Sequence, residues 1–186
     1  GFHMLLEAMP ELIQRYPDLQ VVVGGQKPYT LNNKLLDFGV DYFFEYQCYI
    51  KQLIRKYNLR DRIHYTGSLN AEAMKEQFLR CNVFLSCSSI ENSPNSVGEA
   101  MLLGVPIVAS NVGGTETMLT DGKDGILYDF FDRQAMIDGI SRLFEQEDLT
   151  LHMSANARKH AFITHDREKN TEDLLRVYCR IKERNV

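Results

Sequence analysis

The sequence predicts an α/β fold in which a parallel β-sheet is covered by helices on both faces. Short apolar runs, several of them rich in β-branched residues, alternate along the chain with longer segments of helical periodicity. Alternating strands and helices form right-handed βαβ units, so their strands lie parallel and are buried on both faces. A chain of 186 residues is long enough for one such domain with a proper core.

Five runs are predicted to be strands. The first is Leu19-Gln20-Val21-Val22-Val23, which ends at a Gly24-Gly25 turn. The second is stopped in the same way by Gly67. In chain order, the predicted strands cover residues 19–23, 62–66, 83–87, 106–110 and 126–128.

Between the strands, apolar residues recur at the three- and four-residue spacing of amphipathic helices. The first helix carries Leu5, Met9 and Leu12 on one face and ends before Pro17. Residues 26–38 are polar and irregular and are predicted to form a loop. Further helices are predicted at residues 42–57, after a cap at Asn70, and at residues 94–104, 115–119, 133–144, 149–162 and 168–184.

Charge and cysteine content exclude several classes of function. The net charge of −4, the pI near 5.7 and the lack of a basic patch argue against a nucleic-acid-binding domain. The four cysteines lack CxxC spacing and the histidines do not cluster with them, so neither a disulfide framework nor a metal site is expected. With no signal peptide and no apolar run of membrane length, a soluble cytoplasmic domain without a membrane span is expected.

The chain opens almost directly into a helix. Gly1-Phe2-His3 precedes the first apolar helical positions, with no strand before them. An α/β domain normally begins with a strand. We therefore expect the chain to be a fragment of a longer protein, with its opening strand absent.

The most informative segment lies between the third strand and the following helix, and it carries Glu91 and Glu99. Glu91 follows the strand, in the region beyond the carboxyl ends of the strands where such sheets bind ligands. Glu99 falls in the first turns of the helix, whose N-terminus offers unpaired N–H groups and a positive dipole end for phosphates. Carboxylates accept hydrogen bonds from sugar and ribose hydroxyls. The segment therefore predicts a sugar-nucleotide site.

Several of these residues also have a purely structural explanation. Ser96-Val97-Gly98-Glu99 matches a capping box, in which Glu99 bonds back to the cap N–H. Glycine at position 98 costs about 1 kcal/mol relative to alanine in a helix, and either a ligand or a packing contact explains it. Gly113-Gly114 is explained by a tight turn that needs positive φ.

A longer pattern extends from these glutamates. Glu91-x7-Glu99 is followed by Ala100-Met101-x-x-Gly104-Val105-Pro106-Ile107-Val108-Ala109-Ser110 and then by Val112-Gly113-Gly114-Thr115-Glu116. In this pattern the chain resembles the donor-binding domain of glycosyltransferase family 4, from Gly1-Phe2 to about Tyr178. The resemblance implies a Rossmann-like domain, the C-terminal half of a GT-B fold, whose N-terminal acceptor domain is absent from residues 1–186.

The resemblance also implies roles for individual residues. Glu91 would be the catalytic residue that faces the donor sugar, and Glu99 would hold the ribose hydroxyls. The turn at Gly67 and Ser68 would contact the nucleobase edge through its backbone. An Arg and a Lys that clamp the diphosphate in the family would precede residue 1, and no metal or other cofactor is expected. The remaining donor-binding candidates, which would cradle phosphate and sugar through backbone groups, are Asn92, Ser93, Asn95, Ser96 and Val97.

Together these features favour the donor-binding domain of a retaining glycosyltransferase. The expected partners are a nucleotide diphosphate sugar and a saccharide or lipid-linked saccharide acceptor, with a role in polysaccharide biosynthesis. The fragment alone is expected to be inactive, and the whole protein to be cytoplasmic or peripheral at the inner membrane face. Two alternatives stay open: a GT-B sugar-nucleotide epimerase, which needs acid and base side chains in this domain, and a non-catalytic nucleotide-binding α/β module.

Overall fold

The computed structural model describes residues 1–27 and 41–184, which form alternating helices and strands. The strands are β1 (Val21–Val23), β2 (Ile63–Tyr65), β3 (Phe84–Ser86), β4 (Ile107–Ser110) and β5 (Ile126–Tyr128). The helices are α1 (Phe2–Arg15), α2 (Asp41–Lys56), α3 (Ala71–Arg80), α4 (Asn95–Leu103), α5 (Thr115–Met118), α6 (Arg133–Glu145), α7 (Glu147–Thr164) and α8 (Arg167–Arg184).

The sequence-based assignment of elements is largely confirmed. Each of the five predicted strands contains an observed one, shorter by up to two residues. The cap at Asn70 is confirmed, because its side chain accepts a hydrogen bond from the Ala73 N–H at 2.9 Å. The predicted loop at residues 26–38 lies, beyond residue 27, outside the described residues.

The described strands are all parallel and form two separate hydrogen-bonded groups. β1 pairs with β2, with Val22 opposite His64. β4 lies between β3 and β5, with Val108 opposite both Leu85 and Ile126. The parallel α/β arrangement is thus confirmed, while the strands are divided into a two-stranded and a three-stranded sheet.

Helices pack on both faces of these strands because alternate residues of β4 point in opposite directions. Val108 packs into a core formed mainly with α1, α2 and α6. Ile107 and Ala109 pack into a second core formed mainly with α3, α4 and α7. All four residues of β4 are buried, as expected for a strand with a neighbour on each edge and helices on each face.

Helix α4 is the element that positions most of the candidate residues. It ends at Gly104, which adopts a left-handed conformation with φ of 70°. The Val105 N–H then donates to the Ala100 carbonyl at 2.9 Å, which closes the helix and directs the chain into β4. Met101 and Val97 anchor the buried face of α4 in the second core.

No helix within the described ranges is both long enough and apolar enough to cross a lipid bilayer.

Candidate functional site

The candidate site lies at the carboxyl ends of β3 and β4. The loop after β3 is fixed to the end of β4, because the Ser110 hydroxyl donates to the Ser88 carbonyl at 2.6 Å. Ser110 itself is only 1% exposed, whereas its acceptor Ser88 is half-buried. Neither serine was among the predicted site residues. The available signal was a polar residue at the end of the otherwise apolar run of β4.

Glu91 is half-buried and is held in place through both its side chain and its backbone. Its Oε1 accepts a hydrogen bond from the Ser88 hydroxyl at 2.6 Å. Its backbone carbonyl accepts one from the Gly114 N–H at 3.2 Å. Ser110, Ser88 and Glu91 thus form a chain of contacts that leads from the buried end of β4 to the carboxylate.

The Gly113-Gly114 turn passes very close to the backbone of the Glu91 loop. A Cβ added at Gly113 would lie 1.7 Å from the Glu91 carbonyl oxygen, and one added at Gly114 would lie 1.8 Å from that of Asn92. Gly113 also has φ of 52°, which confirms the expected positive φ at that position. Gly114 has φ of −75°, an ordinary value, so the close approach accounts for this glycine.

The N-terminus of α4 differs from the capping box that its sequence indicates. The helix begins at Asn95 with Pro94 as N-cap, and no side chain caps it. The Pro94 carbonyl accepts the Val97 and Gly98 N–H groups at 3.0 and 3.3 Å. The capping-box interpretation is therefore wrong: Ser96 is the second residue of the helix and not its cap.

Two backbone amides are left available at this helix end. The N–H groups of Asn95 and Ser96 precede the first hydrogen bonds of the helix, which Pro94 accepts. Both residues are exposed. Because the dipole of α4 places positive charge at this end, the two amides suit an anionic group.

Glu99 lies one turn further along α4, with an exposed side chain. Its carboxylate makes no hydrogen bond or ion pair with the other residues that the structure describes. Glu91, Ser96 and Glu99 line one cleft of about 1350 Å³, which also reaches Gly24 and Thr66 at the ends of the two-stranded sheet. The structure thus brings together the two carboxylates and the helix end between them.

The other predicted site residues lie around or away from this cleft. Asn92, Ser93 and Asn95 are exposed and do not line it. Val97 is fully buried in the second core and its N–H is bonded to Pro94, so neither group faces a ligand.

Gly67 and Ser68 lie at the end of β2, in the other sheet. The Gly67 N–H donates to the Gly25 carbonyl at 3.0 Å, and Gly67 has φ of 70°. Its N–H is therefore occupied within the turn.

Gly98 is explained by packing. A Cβ added there would lie 2.5 Å from His165 Nε2 and 3.2 Å from Met118 Cε. The glycine thus allows the end of α7 and the α5 segment to lie against α4.

Among the described residues, the site has neither an activated thiol beside it nor a cluster of metal ligands. Burial raises the pKa of the Cys87 thiol, which keeps it protonated and unreactive at neutral pH. Among residues 1–27 and 41–184, no group of three or more His, Cys, Asp or Glu side chains is placed to hold a metal ion. The site therefore offers carboxylates as hydrogen-bond acceptors and backbone amides as donors, which suits a ligand with both hydroxyl and phosphate groups.

Solved structures show which fold the chain adopts. The chain superposes on Anabaena HepE, solved in complex with UDP-glucose, with a TM-score of 0.73, 22% identity and coverage of 94% of this chain and 44% of that chain. The fold is thus the Rossmann-like α/β fold of GT-B glycosyltransferases, with parallel strands and helices on both faces.

The family follows from the sequence as a whole. Residues 1–160 match the family model described as glycosyl transferases group 1, and the chain belongs to this family. It is 31% identical over 163 residues to a putative glycosyltransferase, YtcC, of Bacillus subtilis, covering 86% of this chain and 37% of the relative. It is 25% identical over 181 residues to a D-inositol 3-phosphate glycosyltransferase of Corynebacterium urealyticum, covering 96% of this chain and 39% of the relative. The chain therefore spans less than half the length of these relatives.

Proposed function

We propose that this chain is the donor-binding domain of a retaining glycosyltransferase similar to family 4. The whole protein would transfer a sugar from a nucleoside diphosphate sugar to a saccharide or lipid-linked acceptor held by a domain outside residues 1–186. The observation that carries this proposal is the helix end with two available amides between two carboxylates of one cleft. The chain's likeness to HepE, which was solved with UDP-glucose, supports a donor of this class.

The diphosphate would bind at the start of α4. The amides of Asn95 and Ser96 and the helix dipole are the only anion-attracting groups that we assign to it within this chain. Further cationic groups, which the family resemblance implies upstream of residue 1, would strengthen this site. No divalent metal is proposed for the reaction.

Glu99 would bind the ribose, since its exposed carboxylate lies one turn from the phosphate site and has no described partner. A carboxylate can accept hydrogen bonds from both hydroxyls of a ribose. This role concerns ground-state binding, so it affects donor affinity more than the chemical step.

Glu91 would face the donor sugar. Positive charge develops at the anomeric carbon as its bond to phosphate breaks, and a nearby carboxylate stabilises that charge. Ser88, Ser110 and the Gly113-Gly114 turn would keep this carboxylate in position before the reaction. In the proposed mechanism Glu91 supports the departing sugar electrostatically and does not attack it.

The decisive experiment removes one amide from the helix end. Asn95→Pro deletes the N–H at the first helical position, where proline is tolerated, and Pro94 before it already has ψ of 94°. Binding of UDP and GDP to the whole protein, and of inorganic pyrophosphate, should weaken on the order of tenfold, because a hydrogen bond to a charged group is lost. Isothermal titration calorimetry measures these affinities.

The matched control is Asn95→Ala, which keeps the amide and should bind pyrophosphate almost as the wild type does. Equal affinities in the alanine and proline variants, with both proteins folded, would contradict a phosphate site at this helix end.

A second pair of variants separates the two carboxylates. In the whole enzyme Glu91→Gln should lower kcat on the order of a hundredfold with little change in nucleotide affinity, because the contact is felt mainly in the transition state. Glu99→Gln should instead weaken nucleoside diphosphates while sparing pyrophosphate. Steady-state kinetics and calorimetry give both quantities.

Glu76→Gln, an exposed glutamate of helix α3 that does not line the cleft, is the control for both variants. Wild-type turnover in a correctly folded Glu91→Gln enzyme would remove Glu91 from the mechanism. If no sugar transfer is found for the whole protein while nucleotides still bind, a non-catalytic nucleotide-binding module is the better description.

A further inference from the structure

Ile90, in the loop between β3 and α4, is the most exposed of the large apolar side chains that the structure describes. It is 86% exposed and Phe131 is 84% exposed, whereas the next such side chain, Leu151, is 62% exposed. The residues around Ile90 in this loop, from Ser88 to Ser93, are otherwise polar or charged. Because single exposed apolar residues are common on protein surfaces, the position and the support of this one decide whether it has a function.

The exposure of Ile90 is a consequence of a loop that is fixed on both sides of it. Before Ile90, the Ser88 carbonyl accepts a hydrogen bond from the buried Ser110 at 2.6 Å. After it, the Glu91 carbonyl accepts one from the Gly114 N–H at 3.2 Å, and the Glu91 carboxylate accepts one from the Ser88 hydroxyl at 2.6 Å. A ligand that contacts Ile90 therefore does not have to order the loop first, which keeps the entropic cost of binding low.

The side chains of Ile90 and Glu91 face different surroundings. Glu91 lines the cleft, whereas Ile90 does not line it and is open to solvent. The two residues are nonetheless neighbours, with Cα atoms about 3.8 Å apart across a trans peptide. Ile90 therefore lies at the outer border of the cleft, beside the carboxylate assigned to the donor sugar.

This position is on the side from which an acceptor approaches. In the proposed function the nucleoside diphosphate occupies the helix end inside the cleft, and its sugar faces Glu91. The acceptor hydroxyl has to reach the anomeric carbon from a direction that the donor leaves open, which is the solvent side of Glu91. Groups attached to the accepting sugar then pass within reach of Ile90.

The chemistry of Ile90 defines the kind of group that it can recognise. An isoleucine side chain has no hydrogen-bond donor or acceptor, so it contributes to binding only by removing apolar surface from water. A sugar ring presents mainly hydroxyls, which gain little from this contact and lose hydrogen bonds to water. An alkyl chain or an aromatic ring gains most from it.

We propose that Ile90 is a specificity-determining residue for the acceptor, and that it contacts an alkyl or aromatic group attached to the accepting sugar. Among the acceptors named above, this contact favours a lipid-linked saccharide over a free one. The inference rests on the proposed function, because the direction of the acceptor follows from the place assigned to the donor. It adds a contact made by this chain to those assigned to the domain outside residues 1–186.

The test uses the whole protein with isotope-labelled isoleucine methyl groups. The probes are the octyl and the methyl β-glycosides of glucose, galactose and N-acetylglucosamine, with the octyl glycosides kept below their micelle concentrations. At least one octyl glycoside should shift the methyl resonance of Ile90 and bind on the order of tenfold more tightly than its methyl counterpart. The resonance of Ile90 is assigned by its absence from the Ile90→Leu variant.

Three variants show whether Ile90 makes the contact. Ile90→Ser should weaken the binding of that octyl glycoside about fivefold, because an apolar contact is lost, and should leave the affinities for UDP and GDP unchanged. Ile90→Leu keeps the apolar surface and should bind the octyl glycoside as the wild type does.

Phe131→Ser is the matched control and should also leave octyl glycoside binding unchanged. The Phe131 side chain is almost as exposed as that of Ile90, and its N–H is fixed by the Asp129 carboxylate at 2.9 Å. It differs in place, because it follows β5, which is two strands away from β3.

Equal affinities of octyl and methyl glycosides, or an equal loss in Ile90→Ser and Phe131→Ser, would overturn the proposal. Protection of the Ile90 methyl group from a dissolved paramagnetic agent in the ligand-free protein would also overturn it, because another part of the polypeptide would then cover Ile90. The Glu91→Gln variant separates this inference from the proposed function. Normal turnover in Glu91→Gln contradicts the proposed function, whereas lost turnover there with unchanged octyl glycoside affinity in Ile90→Ser overturns this inference alone.

Discussion

Both sheets consist of parallel strands, but they differ in how fully neighbouring strands and helices bury their residues. In the three-stranded sheet, Val108 is fully buried, and the loops at the carboxyl ends are locked together by Ser110 and the Gly113-Gly114 turn. In the two-stranded sheet, Val22 is half exposed, and a Cβ added to Gly67 would meet nothing within 4 Å. The candidate carboxylate of Glu91 is therefore held by the more closely packed sheet, whereas the opposite wall of the cleft has fewer close contacts.

The largest expected difference between the two sheets concerns their turn glycines. Gly113→Ala should lower the free energy of unfolding by about 3 kcal/mol, because left-handed strain is added to the overlap with the Glu91 carbonyl oxygen. Gly67→Ala has the same left-handed strain but open space, and should lose only about 1 kcal/mol. Equilibrium urea unfolding measures both values.

Turnover is expected to separate the same two glycine variants. Gly113→Ala displaces the loop of Glu91 and should therefore reduce turnover in the whole enzyme more than Gly67→Ala does. If the two glycine variants lose the same stability, the close approach between the turn and the Glu91 loop does not hold in solution.

An intermediate effect is expected from the hydroxyls at the carboxyl ends of the sheets. Ser110→Ala removes the donor to the Ser88 carbonyl from a position that is 1% exposed, and should lower the free energy of unfolding by about 1 to 2 kcal/mol. Thr66→Val, at the end of β2, removes longer hydrogen bonds from a residue that is itself only half-buried, and should lose less than about 1 kcal/mol.

Thermal unfolding of the two hydroxyl variants provides the measurement. A larger loss of stability from Thr66→Val than from Ser110→Ala would contradict the expectation that the carboxyl end of the three-stranded sheet is the more strongly stabilised of the two.

The smallest expected effect is a pH dependence at the junction of the two regions. The His3 ring packs against Tyr46 of α2 and against Phe130, which follows β5, with ring centroids 5.6 and 6.3 Å apart. Burial lowers the pKa of His3 below its usual 6.5, and the nearby Glu7 carboxylate opposes this shift.

Since the unfolded chain then binds a proton more readily than the folded one, this contribution to stability is present above pH 6.5 and is lost as pH falls through the lower, folded pKa. His3→Gln should flatten the dependence of unfolding free energy on pH below 6.5 and leave its dependence above pH 8 unchanged. An identical pH dependence in wild type and His3→Gln would show that the His3 ring is not buried between the two regions in solution.

Local sequence patterns were enough to predict most of the elements and the edge of the sheet at which the candidate site lies. Hydrophobic periodicity and turn residues are local properties, and they located the five strands, the Asn70 cap and the region after β3 that carries Glu91. The resemblance to glycosyltransferases that the glutamates and the glycine turn suggested agrees, at the level of the broader family, with the match of residues 1–160 to glycosyl transferases group 1.

The contacts that fix these residues in place depend on the tertiary structure and could not be predicted from local sequence patterns. The N-cap of α4 is Pro94 and not Ser96, because the helix already begins at Asn95 and Ser96 therefore lies within its first turn. The need for Gly114 comes from the backbone carbonyl of Asn92, which local sequence rules do not connect to it. The division of the described strands into two hydrogen-bonded groups is likewise not visible in the sequence, because pairing is set by contacts between segments far apart in the chain.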